Sequence, residues 1–216
     1  MASYQARQRD PLLDSNTQAI LERRGKELLG AGLLIAGVLA ALILGSYSPD
    51  DPSWMSATDA PAQNFLGRFG AAIASPLYII AGLGSWGVAV LFLTWGARFT
   101  SHRGSELAIS RVIFAPIAIA LGSVYASTHV PGAEWSHSFG LGGLFGDTVL
   151  GAVLGLVPVT ATFGLKVMSV IMAICTIAIA AFVLGFTKVE LRAMARFLMI
   201  GVVMTYAMIL QLLGRT

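Results

Sequence analysis

Charge is scarce in this sequence. Asp, Glu, Lys and Arg make up 12% of its 216 residues, where soluble domains carry about 25%. That deficit excludes an ordinary water-soluble globule, because too little charge remains to face solvent. Cysteine is nearly absent as well. Cys175 is the only one, so neither an intrachain disulfide nor a multi-thiolate metal site can form; it reads as a small apolar filler. The three histidines, His102, His129 and His137, lie in or beside polar segments, which leaves no histidine within an apolar run to activate a serine such as Ser85. No GxxxxGK[ST], HExxH or CxxC pattern occurs, so the chain lacks a Walker phosphate loop and the common zinc motifs. Gly82-Leu83-Gly84-Ser85-Trp86-Gly87 matches GxGxxG, but it lies inside an apolar run, not between a strand and a helix. Close helix packing through small residues accounts for it.

What is abundant is apolar sequence: 56% hydrophobic residues and a mean hydropathy of +0.77. A net charge of +3 would suit a nucleic-acid surface only if the cations formed a stripe or patch. Here the 14 basic residues sit in short clusters between apolar runs, the pattern that sets membrane orientation.

The polar N-terminal tail, 1–27, contains Ser15-Asn16-Thr17-Gln18, which reads as a capping box. A helix is expected from there into the first apolar run, Leu28–Tyr47. That run is too long for a signal peptide and long enough to span. Ser48–Phe69 reads as a polar loop. Gly70–Ala97 reads as a second span with Pro76 near its start, and Arg98–Arg111 as a short basic loop. Val112–Thr128 reads as a third span, and His129–Gly140 as another loop. Leu141–Val157 is a glycine-rich run closed by Pro158. Thr162–Phe186 is a full span, Thr187–Arg196 a charged loop, and Phe197–Leu213 a final apolar run. The tail and the two basic loops hold eleven Lys and Arg against one, Arg68, in the other two loops. This places the tail, 98–111 and 187–196 in the cytoplasm, and Trp54 and Trp135 near the outer interface.

The expected fold is therefore an all-α integral membrane protein with four transmembrane helices. A glycine-rich interfacial or re-entrant helix (141–157) and a C-terminal membrane-associated helix (197–216) complete it, with 28–196 as the membrane domain. Hydropathy alone allows five or six spans. Four keeps Lys188, Arg192 and Arg196 inside, with Gly214–Thr216 returning to the cytoplasm. A weak internal repeat fits two hairpins: Pro49/Trp54 and Pro131/Trp135, followed by Gly67-Arg68-Phe69-Gly70 and Gly143-Leu144-Phe145-Gly146.

Gly142/Gly146 and Gly151/Gly155 are four-residue small pairs that let another backbone approach, within the monomer or between subunits. Asp147 and Lys166 are the charges within the later apolar runs. Snorkelling, a mutual ion pair and a transport role are the readings open to them.

Ser46-Tyr47-Ser48-Pro49-Asp50-Asp51-Pro52-Ser53-Trp54 resembles a signature of the FtsK/SpoIIIE family of DNA translocases, at the start of their first periplasmic loop. Asn64-Phe65-Leu66-Gly67-Arg68-Phe69-Gly70-Ala71 resembles the family's approach to the second span, and Gly142-Gly143-Leu144-Phe145-Gly146 the element before the fourth. The signature positions are Ser46, Tyr47, Pro49, Asp51, Pro52 and Trp54. Ser75 departs from the Asp of many relatives, which argues against a polar site there. The resemblance implies a non-catalytic anchor and assembly domain, at the division septum of the bacterial inner membrane, of a translocase coupling chromosome segregation to septum formation. It further implies membrane lipids as surroundings, self-association into a ring (hexameric in the family) and contact with other divisome proteins. DNA, ATP and magnesium would be engaged only by a motor not contained in this chain, so no cofactor is expected in this segment. The rival reading is a small transporter or channel subunit. Its polar groups at mid-depth, Thr94, Ser123 and Thr176, are scattered, and Pro76 and Pro116 lie near span ends, unlike the broken helices around a transport site.

Overall fold

The computed structural model describes residues 14–133, 135–156, 158 and 160–213. Arg7 and Arg9 of the tail, Glu134, Val157 and the expected return at Gly214–Thr216 lie outside the described residues. All regular structure among the described residues is helical: α1 Ser15–Gly45, α2 Gly67–Ala81, α3 Trp86–Thr100, α4 Ala108–Val112, α5 Ala115–Ser127, α6 Gly143–Leu156, α7 Ala161–Val183 and α8 Lys188–Leu213. Apolar runs of this length can satisfy their backbone away from water only as helices. Four helical segments are long and apolar enough to cross a membrane: Asn16–Gly45, Gly67–Thr100, Ala161–Val183 and Lys188–Gln211. The pair Ser105–Val112 and Ala115–Ser127, bent by 61°, would make a fifth.

Helix α1 starts at Ser15, but Asp14 holds the N-cap position without a side-chain cap bond. The cap therefore falls one residue before the place a capping box on Ser15 requires. Helices α1 and α3 run antiparallel along a seam of small residues. Gly30 faces Gly96 and Thr100, Gly37 faces Leu93, and Gly45 faces Trp86. A Cβ on Gly30 would stand 2.7 Å from the Thr100 backbone nitrogen, so only glycine permits this approach. In lipid, where burial of apolar surface gives no drive, such close packing is what joins helices.

The expected second span, Gly70–Ala97, is two helices. Both ends of α2 touch the end of α1: Asn64, just before it, donates from Nδ2 to the Ile43 carbonyl at 2.8 Å, and Tyr78, near its end, stacks on Tyr47 at 4.4 Å. Helix α2 thus lies across the end of the bundle, and α3 is the part that runs back along α1. Pro76 does not interrupt the helix. The break comes at a 3-10 turn, Gly82–Ser85, where Gly82 takes φ +54° and a Cβ would strike the backbone at Leu141–Gly143.

The expected third span, Val112–Thr128, is helix α5 from Ala115 onward. Helix α5 holds 13 residues, about 20 Å at 1.5 Å per residue, with Pro116 in its first turn. Helix α4 precedes it across the 61° bend. The segment Thr187–Arg196 is not a loop: from Lys188 onward it is the first part of α8, 26 residues long and, apart from Glu190, exposed along its described side chains. Its charges therefore lie within a helix.

The two halves of the chain repeat one plan: a crossing helix, a loop, a short helix at the loop end, then a second crossing helix. The short helices α2 and α6 begin at Gly67 and Gly143, the first residues of the two Gly-x-Phe-Gly motifs. Both glycines have positive φ, +60° and +70°. Each donates its N–H to the carbonyl three residues back, Asn64 at 2.7 Å and Gly140 at 3.0 Å. The core lies where α3, α5 and the 3-10 turn meet. Ser85 and Ser123 are fully buried there, and Ser123 Oγ donates to the Ala81 carbonyl at 2.8 Å. Large exposed apolar side chains such as Ile113, Phe163, Ile174 and Ile177 cover the flanks, as a lipid-facing surface requires.

Candidate functional site: clasps at the two ends of the bundle

At the loop end, the signature residues build a polar clasp. Asp51 is 2% exposed. Its carboxylate accepts from the Gln63 N–H at 2.7 Å and the Asn64 N–H at 3.0 Å. Asn64, also buried, donates to the carbonyls of Ile43 and Ser46 and accepts from the Leu66 N–H at 3.1 Å. Ser46 Oγ donates to the Leu42 carbonyl and accepts from the Phe65 N–H at 3.0 Å. Pro49 sits in a turn closed by the Asp51 N–H on the Ser48 carbonyl, which aims Asp51 inward; Pro52 follows, half-buried. Trp54 points out at 85% exposure. The Ser75 position, read from the sequence as lacking a polar site, is buried and pairs with Ser53 Oγ at 2.9 Å. A hydroxyl pair fits where a longer side chain would need more room.

An aromatic stack joins the two loops. Tyr47 lies on Tyr78, both contact His137, and His137 meets Trp135 at 4.6 Å and Phe139 at 5.0 Å. Desolvation holds the His137 pKa below its ordinary 6.5, so the ring is neutral at pH 7. Burial raises the Tyr47 pKa from its usual 10.0.

The second half has its own carboxylate clasp. Asp147 accepts from the Gly140 N–H at 2.6 Å and from Ser127 Oγ at 2.8 Å. It therefore holds the residue three before Gly143, as Asp51 holds the residue three before Gly67. Among the described residues Asp147 and Lys166 form no ion pair; Lys166 is exposed. The glycine pairs divide. Gly142 and Gly146 press on Ser123 and Ser127 of α5, where a Cβ would collide with the Ser123 carbonyl and Ser127 Oγ. Gly151 and Gly155 meet nothing within 4 Å.

The opposite end carries the basic residues and a clasp that the sequence reading missed. Arg98 in the last turn of α3 is 8% exposed. It donates from Nε to the Leu184 carbonyl at 2.8 Å and pairs with Glu190 at 3.0 Å; its guanidinium lies 5.4 Å from the Phe186 ring centre. Arg111 reaches the Phe182 and Phe186 carbonyls, and Trp95 Nε1 donates to the Val183 carbonyl at 3.0 Å. Two cations thus cap the negative C-terminus of α7. Gly185, φ +81°, turns the chain there, with the Phe186 N–H on the Ala181 carbonyl and the Gly185 N–H on the Phe182 carbonyl, a Schellman closure. Thr187 and Glu190 then form a reciprocal capping box: Glu190 N–H on Thr187 Oγ1 at 3.2 Å, and Thr187 N–H on Glu190 Oε2 at 2.8 Å. The Thr-x-x-Glu spacing was the sequence signal for this helix start.

These clasps order backbone and join helices, and each of their charged side chains is engaged by another part of the same chain. Among the described residues no group of three or more His, Cys, Asp or Glu side chains could hold a metal. A groove of about 520 Å³ between α3, α5 and α7 is lined almost wholly by apolar groups, with Thr176, Tyr125 and His129 as exceptions.

A family profile described as the 4TM region of DNA translocase FtsK/SpoIIIE matches residues 22–212. A DNA translocase FtsK of Azospirillum brasilense is 29% identical over 148 residues, 68% of this chain and 24% of that protein. One of Caulobacter vibrioides is 30% identical over 167 residues, 74% of this chain and 20% of its own length. One of Bradyrhizobium diazoefficiens is 33% identical over 132 residues, covering 61% of this chain and 16% of that relative. The matched region is thus a quarter or less of each of these relatives. No solved structure matches the chain.

Proposed function

The chain belongs to the family of four-transmembrane regions of FtsK/SpoIIIE DNA translocases, and from that premise we propose that it is the membrane anchor and assembly region of such a translocase. It sits in the bacterial inner membrane at the division septum, with its basic end in the cytoplasm. It performs no chemistry itself. DNA, ATP and magnesium are engaged by a motor outside this segment, and the anchor gathers its copies and other divisome proteins.

The observation that carries this reading is the use made of the signature residues. Asp51 and Ser46 are engaged in ordering the first loop onto α1 and α2, and none is left facing a cavity as a reacting group would be. A transport reading finds few ligands: the main groove offers an ion little to coordinate. The test is a fluorescent fusion of this chain in dividing cells of a related bacterium. Enrichment at the septum is expected; an even distribution around the envelope counts against the assembly role. Purified protein is expected to show neither ATP turnover nor duplex DNA binding above a control membrane protein, and turnover that persists through purification overturns the anchor reading.

A further inference from the structure

At the basic end, a groove of about 430 Å³ opens between the last turns of α3 and the α7–α8 corner. Its α3 wall is apolar, with Leu93, Thr94 and Ala97; its mouth is polar, with Arg98, Ser101 and Arg103. Phe186 and Glu190 close the far side. An apolar wall ending in a cationic mouth matches an amphiphile, a chain below a negative head.

The polar groups of the mouth are not equally occupied. Arg98 is engaged by the Leu184 carbonyl and Glu190. Glu190 Oε2 already accepts from Arg98, the Thr187 N–H and the Thr187 hydroxyl. Ser101 Oγ donates back to the Ala97 carbonyl at 2.6 Å. Arg103 alone brings an uncommitted side chain: its backbone carbonyl accepts from Arg98, while among the described residues no carboxylate pairs with its guanidinium. Two guanidinium groups therefore face one carboxylate, which is already paired with Arg98, and the groove carries a surplus positive charge beside an apolar wall.

We infer that this groove binds the headgroup of an anionic phospholipid of the leaflet at the basic end, with Arg103 holding the phosphate and the Leu93–Ala97 face seating the start of an acyl chain. Basic pockets between membrane helices are where such headgroups bind. The inference goes beyond the anchor reading and does not depend on it, since it concerns lipid bound to one copy of the chain in any micelle.

The test is native mass spectrometry of the intact chain in a mild detergent containing equal phosphatidylglycerol and phosphatidylcholine. The wild type is expected to retain one phosphatidylglycerol in preference to phosphatidylcholine by about fivefold, the effect of one basic residue near an anionic lipid. Arg103→Gln is expected to remove the preference. Arg192→Gln, on exposed α8 and away from the groove, is expected to keep it. Thr94→Trp, which fills the apolar wall without changing charge, is expected to displace the lipid. Equal retention of both lipids by the wild type overturns the inference. So does a preference surviving Arg103→Gln, or one lost equally with Arg192→Gln, because a diffuse basic belt would then be the binder. If Thr94→Trp loses helicity, the two arginine variants decide alone.

Discussion

Asp51 brings a carboxylate into a site 2% exposed and surrounds it with backbone donors from Gln63 and Asn64. Its removal would leave the buried Asn64 N–H without this partner, while the N–H of exposed Gln63 can turn to water. A buried donor left unpaired costs about 1–3 kcal/mol, so Asp51→Ala should lower stability by about 1–3 kcal/mol, read as a fall in the thermal unfolding midpoint in detergent. Trp54→Ala, three residues on, should stay within about 0.5 kcal/mol of wild type, because that side chain is 85% exposed. An equal loss in both variants would show that the loop is not clasped through Asp51. His137 gives a pH dependence of definite sign. Burial lowers its pKa below 6.5 in the folded protein, so the unfolded chain binds the proton first. Its contribution is complete above about pH 6.5 and declines as the pH falls below that value towards the folded pKa. Thermal midpoints should therefore drop between pH 7.5 and 5.5, and His137→Phe should flatten that drop while keeping the ring stack. A variant with an unchanged slope would place the titration elsewhere.

Helix α6 shows what a single element does with two kinds of glycine. Gly142 and Gly146, just before it and in its first turn, lie against α5, whereas a Cβ on Gly151 or Gly155 would meet nothing within 4 Å among the described residues. Replacing Gly142 and Gly146 with Leu should separate α6 from α5 and reduce helicity or thermal stability. Replacing Gly151 and Gly155 with Leu should leave the fold intact. Any effect of the second pair on native mass would then report contact between copies. If both pairs unfold the chain alike, α6 packs along its whole length and the division is wrong. All four glycines share one spacing in the sequence; only the partner, fixed by the fold, distinguishes them. The same limit explains the other misread elements. The charge-free run from Leu28 is legible because length and hydropathy suffice. That α2 lies across the end and α3 along α1 is not, because both have the composition of a span. Lys188, Arg192 and Arg196 resemble a loop until Thr187 and Glu190 are seen as a helix start. Arg98 is counted from the sequence as an orientation signal, yet Leu184 and Glu190, its partners, lie 86 and 92 residues away.

At the scale of the whole molecule, the contacts sort the chain between two ends. Tyr47, Asn64, Tyr78 and His137 gather at one. Arg98, Arg111, Leu184 and Glu190 gather at the other, where His102 also approaches Glu27 of α1 at 3.6 Å. The chain passes between those ends along α1, α3, α4–α5 and α7, so Ser56 and Ser105 belong to opposite sides. Single cysteines at these positions, in a chain with Cys175 replaced by Ala, should react differently with a membrane-impermeant thiol reagent. Ser56→Cys should label from outside intact cells and Ser105→Cys only after permeabilisation; the reverse pattern would invert the orientation. The corner at the basic end also has a mechanical meaning. A pull along α8 enters α7 through the backbone of the Gly185–Thr187 corner, and the Glu190–Arg98 pair ties the start of α8 to the end of α3 as a side branch. Glu190 is the more exposed partner of that joint, with 36% of its side chain open against 9% for Arg98. A solvated charge pair is weaker than a helix's hydrogen-bond ladder, so load on α8 should part Glu190 from Arg98 before either helix unwinds, leaving Gly185, at φ +81°, as the hinge of the corner.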